Sequence, residues 1–262
     1  MPKAGQMAKE TSAQPDYSVP ALEKALDIIE LLAERHEGLT QNQIGEAVGR
    51  SASQIFRTLA VLEDRGYVWK ARPSGLYFLS MRMFELAHRH PPTRGLVQVA
   101  MPVMRELAQN VRQSCNLGVY DFGRMIIVAE AESPTPFGFR VRVGGHFAML
   151  GAASGRALLA FQDEAVQAEW LSVSDAGAMK ADERTALISR LADVRARGYE
   201  QTRDGLHAGV SDLAFPVLVN GQAIAALTVP YVSTSYSETP MDQVIVAVGA
   251  AASAISEALG GN

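Results

Sequence analysis

The sequence has one cysteine in 262 residues, Cys115. A lone thiol forms no intrachain disulfide, which excludes a disulfide-stapled scaffold and points to a reducing compartment. No run of 18 apolar residues occurs, so no membrane partner is expected. Residues 1–18 lack the apolar core of a signal peptide and read as a disordered lead, leaving the cytoplasm as the expected location. No internal repeat is present, and signatures of catalysis are missing too. Gly151-Ala152-Ala153-Ser154-Gly155 is not the Gly-x-Ser-x-Gly nucleophile elbow. Cys115 falls in an expected strand, with no basic neighbour in sequence to lower its pKa. His36, His88, His90, His146 and His207 show no metal-ligand spacing, and His88 and His90, two apart on an expected helix, do not share a face. No glycine-rich phosphate loop occurs. No catalytic residue, metal or cofactor is therefore expected.

The remainder is ordinary for a globular chain, with 48% hydrophobic and 20% charged residues, and the length suits two domains. The net charge of -4 argues against a general nucleic-acid coat. The charge is uneven, however. Residues 41–82 hold six basic side chains (Arg50, Arg57, Arg65, Lys70, Arg72, Arg82) against three acidic ones (Glu46, Glu63, Asp64). A local basic patch on an acidic chain suits a dedicated DNA reader.

Residues 39–62 explain that patch. Thr40 is suited to cap a helix whose apolar stripe is Ile44, Ala47 and Val48, and Gly49 ends it. Ser51 or Ser53 can cap a second helix. On it Ile55, Leu59 and Leu62 face inward with Phe56 beside them, and Ser53, Gln54 and Arg57 face outward. This is the layout of a helix-turn-helix whose second helix enters a major groove. Two β-prone runs follow, 67–70 and 76–79, around a turn at 71–75, which makes the motif a winged helix. Lys70 and Arg72 would sit on the wing. A helix at 19–37 (Leu22, Ala25, Leu26, Ile29, Leu32) scaffolds the motif.

A linker helix is expected over about 80–90, broken by Pro91-Pro92-Thr93, with the domain boundary near residue 92. A long helix at 94–114 then opens a second domain. Strands are expected at 115–120, 124–130, 137–143, 213–219 and 222–229, the last two joined by an Asn220-Gly221 turn. Gly144-Gly145-His146 reads as a turn, and helices are expected at 152–161, 163–171, 182–198 and about 238–259. The fold class is α+β, with one antiparallel sheet and helices packed on it.

Several stretches follow one another in a distinctive order. They are Arg57-Thr58-Leu59, then Leu62-Glu63-Asp64-Arg65-Gly66-Tyr67, and Gly144-Gly145-His146-Phe147-Ala148-Met149-Leu150 running into Ala153-Ser154-Gly155-Arg156-Ala157-Leu158-Leu159-Ala160. Arg197-Gly198-Tyr199, Ala208-Gly209-Val210 and Leu213-Ala214-Phe215-Pro216-Val217 complete the series. In their order and spacing, over roughly residues 19–259, they resemble the IclR (isocitrate lyase regulator) family of bacterial transcription factors. The resemblance implies a winged helix-turn-helix at 19–80, a linker helix at 81–93 and a GAF-like effector domain at 94–262. It also implies pairing through the N-terminal domains as a homodimer or dimer of dimers, and a small metabolite, often an organic or aromatic acid, that alters operator binding.

The candidate DNA contacts are Ser51, Ser53, Gln54 and Arg57 in the groove and Lys70 and Arg72 from the wing. Arg57 is suited to a guanine edge and Gln54 to adenine, and the alternative for Arg57 is a phosphate contact. For the effector, small residues at 151–155 open a helix and expose backbone N–H groups, a ready anion cradle, or simply a tight packing turn. The resemblance places effector contacts at Ala153, Ser154, Thr202, Asp212, Thr228 and Pro230, with Phe147 and Met149 as apolar wall. Thr202 stands where an acid is common in the family, Asp212 where some relatives have cysteine, Pro230 where some have serine, and Arg156 where lysine is common. An Asp212 carboxylate would repel an acidic ligand unless Arg140 or Arg142 is near, which favours a hydroxylated, amine-bearing or neutral effector; alternatively Asp212 caps a turn. The expected protein is a ligand-responsive regulator of a catabolic operon acting on double-stranded operator DNA. The rival is a metabolite-binding or hydrolytic enzyme with a vestigial winged helix.

Overall fold

The computed structural model describes residues 18–89, 91–174, 179–203, 209–235 and 239–260. The lead expected at 1–18 lies outside them but for Ser18, as do His90 and His207. The chain divides between Arg89 and His90 into two compact units.

The N-terminal unit runs α1 (Pro20–Ala33), α2 (Gln41–Ala47), α3 (Ala52–Asp64), β1 (Val68–Lys70), β2 (Tyr77–Leu79) and α4 (Arg82–Arg89). Thr40 caps α2 through a capping box, in which its hydroxyl accepts the Gln43 N–H and its own N–H donates to Gln43 Oε1. Gly49 makes the turn into α3 with φ 65°, a left-handed conformation that costs glycine nothing. Ile28, Leu32, Ile44, Ile55, Leu59, Leu62, Val68 and Tyr77 form one buried core. β1 and β2 pair antiparallel, and Leu39 exchanges two backbone hydrogen bonds with Tyr77 (3.1 and 2.8 Å), which ties the hairpin to the start of α2.

Four side chains depart from expectation. Phe56 is 57% exposed instead of packing beside Ile55, and Ala47 also faces solvent. On α1 the core side is Ile28 and Leu32, whereas Leu22 and Leu26 are exposed. One helical stripe of about 100° covers a single face, so the extra apolar residues of α1 make a second, uncovered one.

The C-terminal unit runs α5 (Pro91–Val111), β3 (Cys115–Asp121), β4 (Arg124–Ala131), β5 (His146–Ala148), α6 (Ala153–Ala160), α7 (Glu164–Val173), α8 (Ala181–Arg197), β6 (Glu200–Arg203), β7 (Val210–Val219), β8 (Gln222–Val232) and α9 (Met241–Ala258). α5 begins at Pro91, not residue 94. The two prolines that read as a break occupy its first turn, where the missing N–H has no intrahelical partner to lose.

The six strands form one antiparallel sheet in the order β5-β4-β3-β8-β7-β6. Strand alternation divides its faces. Cys115, Leu117, Leu213, Val217, Ala225, Leu227 and Val229 point toward α5 and α9 and build the larger core. Met125, Ala223 and Ala226 point toward α6 and α8 into a second core. By length and mean hydropathy α9 is apolar enough to cross a membrane, although Asp242, Gln243, Ser253, Ser256 and Glu257 interrupt it so that no unbroken run of 18 apolar residues occurs, and it buries Val244, Val248 and Ile255 in the larger core.

Residues 137–143 are not a strand. β4 takes its outer partner from β5, at 146–148, which follows the expected turn at Gly144-Gly145 and takes in His146, the last residue assigned to that turn. Ile127 and Gly144-Gly145 exchange backbone hydrogen bonds of 2.8 and 2.9 Å that bring the chain back to β4. With that edge filled, the apolar alternation of 137–143 belongs to a loop. The sequence reading also missed β6, because Glu200-Gln201-Thr202-Arg203 is a wholly polar edge strand without hydrophobic alternation.

Candidate functional site

In the N-terminal unit, α3 exposes Ser53, Gln54, Phe56 and Arg57 while Ile55, Leu59 and Leu62 are buried. Ser51 precedes α3 and is its N-cap. Its N–H donates to Gln54 Oε1 at 2.9 Å, its hydroxyl reaches the same oxygen at 3.1 Å, and it lies 3.1 Å from the Ser53 hydroxyl. Three of the four candidate groove residues are thus engaged in starting the helix, and Arg57 stands outside that network. Lys70 ends β1 with its Nζ 5.0 Å from the Tyr77 ring centroid, and Arg72 is exposed in the hairpin turn. Trp69 and Phe78 stack at 4.7 Å and stiffen the wing.

In the C-terminal unit, strand register assembles a second site from distant residues. Asn116, Thr228, Ala214 and Glu200 are successive cross-strand neighbours on β3, β8, β7 and β6. Pro230, Asp212 and Thr202 form the next row. Period-two alternation puts both rows on the face covered by α6. Ala153 and Ala157 of α6 pack directly on Ala214, and these small side chains bring the helix close to the sheet. Gly155 allows a different close approach, of α6 to the turn that leads into it, since a Cβ there would lie 2.0 Å from the Met149 carbonyl oxygen.

Beside the α6 N-terminus lies a recess. Its polar lining is Asn116, Asp212, Thr228 and Ser154, and its apolar lining includes Ile127, Phe139, Val141 and Phe147. Asn116, Ser154 and Thr228 are buried, and Thr228 Oγ1 has no hydrogen-bond partner among the described residues. Ala152 at the N-cap offers no side-chain cap, so it leaves the first-turn N–H groups of α6 unserved. The recess encloses only about 30 Å³. Its roof comes from the loop after β4, pinned by Arg140, which pairs with Glu132 at 2.7 Å and Glu130 at 3.4 Å. Burial pushes the Glu130 carboxyl up, and Arg140 opposes that shift.

The expected effector residues divide. Phe147, Ala153, Ser154, Asp212 and Thr228 meet at the recess. Met149 does not line it; the side chain is buried in the second core beneath α6. Pro230 lies opposite Asp212 in the adjacent row. Thr202 opens with Arg156, Arg190 and Arg203 onto a separate cleft of about 520 Å³. Arg140, considered as a counter-charge for Asp212, is bound to the two glutamates; Arg156 is instead the cation whose charge Asp212 supports.

Glu200 anchors that cleft. It is fully buried and takes Arg190 as a bidentate partner, Nη2 at 2.6 Å and Nε at 3.0 Å, with Arg156 Nε at 3.5 Å. Arg156 also donates to the Leu150 carbonyl. Burial lowers the Arg156 pKa and Glu200 opposes it, whereas the Glu200 hydrogen bond raises that of Arg190. This triad fastens β6 to α6 and α8.

Two family models cover the chain, the IclR helix-turn-helix domain over residues 21–71 and the bacterial transcriptional regulator IclR C-terminal domain over residues 92–257. The chain belongs to the IclR family. It is a DNA-binding transcriptional regulator with an effector domain, in a family that is not enzymatic. It is 28% identical over 254 residues to the transcriptional regulator KdgR of Escherichia coli, covering 94% of this chain and 95% of that one. The crystal structure of Thermotoga maritima IclR superposes with a TM-score of 0.73 at 20% identity, covering 91% of this chain and 98% of that one. An IclR homologue from Microbacterium hydrocarbonoxydans, crystallised with 4-hydroxybenzoate, gives 0.72 at 24% identity, covering 92% and 99%. At these identities the two structures establish a shared fold.

Two residues of this IclR-family site escaped the sequence reading. Asn116 carried a usable signal, a polar residue inside the apolar run 115–119 and on the face opposite Cys115 and Leu117. Glu200 carried none, because its partners are 10 and 44 positions away and only the fold brings them to it.

Proposed function

We propose that this regulator binds a small hydroxylated metabolite, an organic or aromatic acid or a hydroxylated relative, in the recess beside the α6 N-terminus, and that the ligand alters its hold on operator DNA. The observation that carries this reading is the buried, unpartnered Thr228 hydroxyl facing the same recess as Asn116, Asp212 and the α6 N-terminus. Unpaired buried polar groups cost stability and persist where a ligand completes them. Ala153 and Ser154 offer backbone N–H groups to an acid, and Thr228 and Asp212 offer bonds to hydroxyls. Phe147 supplies apolar wall, and Thr202 and Pro230 flank Asp212 in its row. A cavity of about 30 Å³ is too small for such a ligand, so binding displaces the Phe139–Val141 roof.

The assignment divides the chain into a DNA reader at 19–80, a linker at 81–93 and an effector domain at 94–262, and the protein acts in the cytoplasm. Arg57 contacts the groove, Lys70 and Arg72 the backbone, and Ser51, Ser53 and Gln54 set the helix that presents them. The N-terminal unit pairs with a second copy. Leu22 and Leu26 on α1 and Met83 and Phe84 on α4 are each at least 45% exposed, an apolar surface that a homodimer would cover. Such a dimer, alone or as a dimer of dimers, reads a palindromic operator. Effector would act by stabilising one of two arrangements of the DNA readers.

The test is fluorescence anisotropy on the DNA upstream of the protein's own gene, across salt concentrations, with a panel of hydroxylated, aromatic and short-chain acids. Wild type should bind in a salt-sensitive way that one compound shifts. Thr228→Val should bind DNA as wild type and respond to that compound about fivefold more weakly, the worth of one hydrogen bond. An unchanged response in Thr228→Val refutes the recess as the site.

A further inference from the structure

Phe56 is the side chain of the DNA-facing helix that the regulator's function leaves without a role. It is the fifth residue of α3 and 57% exposed, although Ile55 beside it is completely buried. At 100° per residue, Ile55, Leu59 and Leu62 define the inward direction, and Phe56 falls about a quarter turn to one side, with Ala60 and Ser53 further round on that same side. An aromatic ring placed there contributes nothing to the core of its own unit. The unit's other exposed large apolar side chains lie on α1, on α4, at Trp69 and Met81, and at Val61, which at 100° per residue falls on the other side of α3 from Phe56.

The polar residues around it narrow what can read a base. Gln54 would have to offer its amide oxygen to adenine N6 while its NH2 donates to N7. That oxygen already accepts from both the Ser51 N–H and the Ser51 hydroxyl. A carbonyl oxygen has two lone pairs, so an adenine contact would open the cap that starts the helix. Ser51 and Ser53 are held in the same network. Among the exposed residues of the first five positions of α3, Phe56 is the large side chain free to meet a base edge, next to Arg57. Recognition helices approach bases through their N-terminal residues, and the one apolar feature on the major-groove floor is the thymine C5-methyl group.

We propose that Phe56 is a specificity-determining residue that packs on a thymine methyl group in each operator half-site. The inference rests on the DNA-binding role of α3 and names what part of the sequence it reads. Arg57 would fix a neighbouring guanine or phosphate, and Phe56 would discriminate thymine from cytosine by burying the methyl.

The test isolates that methyl. Full-length protein selects its preferred site from a randomised duplex library. Each thymine of the selected site is then replaced in turn by deoxyuridine, which keeps the pairing and removes only the methyl group. Binding is read by anisotropy for wild type, Phe56→Ala and Phe56→Leu, with circular dichroism to verify folding and sedimentation to give oligomeric state. One thymine per half-site should weaken wild type about fourfold on replacement, the worth of one buried methyl, and both together roughly 15-fold. Phe56→Ala should bind the thymine site more weakly and be indifferent to the replacement, and Phe56→Leu should retain part of the discrimination. Indifference of wild type to every replacement overturns the proposal, as does equal sensitivity in Phe56→Ala. A loss of dimer mass in Phe56→Ala with thymine sensitivity intact also overturns it, and assigns the ring to a protein contact. If wild type enriches no sequence at all, the operator reading fails with it, a result distinct from the others.

Discussion

Replacing Glu200 with alanine is expected to destabilise the C-terminal unit by about 3 kcal/mol, the lower end of the usual cost of breaking a buried ion pair. Glu200 is fully buried between two guanidinium groups. Without it, Arg156, whose side chain is 11% exposed, keeps its charge in a poorly hydrated site. Arg190, 48% exposed, turns back to water, which holds the cost below the upper end of about 5 kcal/mol. The assay is urea unfolding followed by tryptophan fluorescence. The chain has two tryptophans, and a Trp69→Phe background leaves Trp170, stacked on Tyr120 at 3.8 Å, as reporter of the C-terminal unit. With a slope of about 2 kcal/mol/M the midpoint should fall by roughly 1.5 M. A triple variant, Glu200→Leu with Arg156→Met and Arg190→Met, removes all three charges and should recover to within about 1.5 kcal/mol of wild type. A midpoint shift below about 0.5 M for Glu200→Ala, or a triple variant no more stable than the single, would refute the account of Glu200 as a buried charge clamp.

Gly155→Ala should lower stability by about 1–3 kcal/mol, because its Cβ would sit 2.0 Å from a backbone oxygen and α6 would have to move by about 1 Å. Thermal unfolding should show a drop of roughly 2–4 °C per kcal/mol, and an unchanged midpoint would mean that α6 shifts freely. Cys115 donates to the Met104 carbonyl at 3.4 Å, and burial pushes its thiol up to about 12. On the order of 1 in 10⁴ thiols is then ionised at pH 8, so native protein should react with a disulfide reagent only as fast as it unfolds. Because burial penalises the thiolate and so raises the folded pKa, the neutral thiol carries no such penalty below about pH 8.5, and stability falls as pH rises from there toward 12. Stoichiometric labelling of native protein within minutes would contradict the burial. Arg57→Ala should weaken specific DNA binding by about 1–3 kcal/mol if the guanidinium reads a base, whereas equal losses on operator and random DNA would make it a phosphate clamp.

Local chemistry alone determined the N-terminal unit's architecture. Capping residues, the glycine turn and helical spacing act within a few positions, so Thr40, Gly49 and the Ile55–Leu59–Leu62 stripe announce their elements in the linear chain. The same holds for the Asn220-Gly221 hairpin, whose two turn residues both adopt positive φ. Which apolar residues stay exposed was decided by packing. A helix with more apolar positions than one core face can take leaves the rest outside, as Phe56 and Leu22 show.

The recess lies further from sequence. Strand alternation assigns each residue a face, but register decides its neighbours, and register depends on pairing across the whole sheet. Asn116 and Thr228 meet across 112 positions of chain because β8 lies beside β3. Residues 137–143 alternate like a strand, yet the edge of β4 was already taken by 146–148, and a sheet edge pairs once. Glu200 had no local mark at all. A buried carboxylate is tolerable only where cations converge on it, and α6, α8 and β6 bring those cations together only in the folded unit.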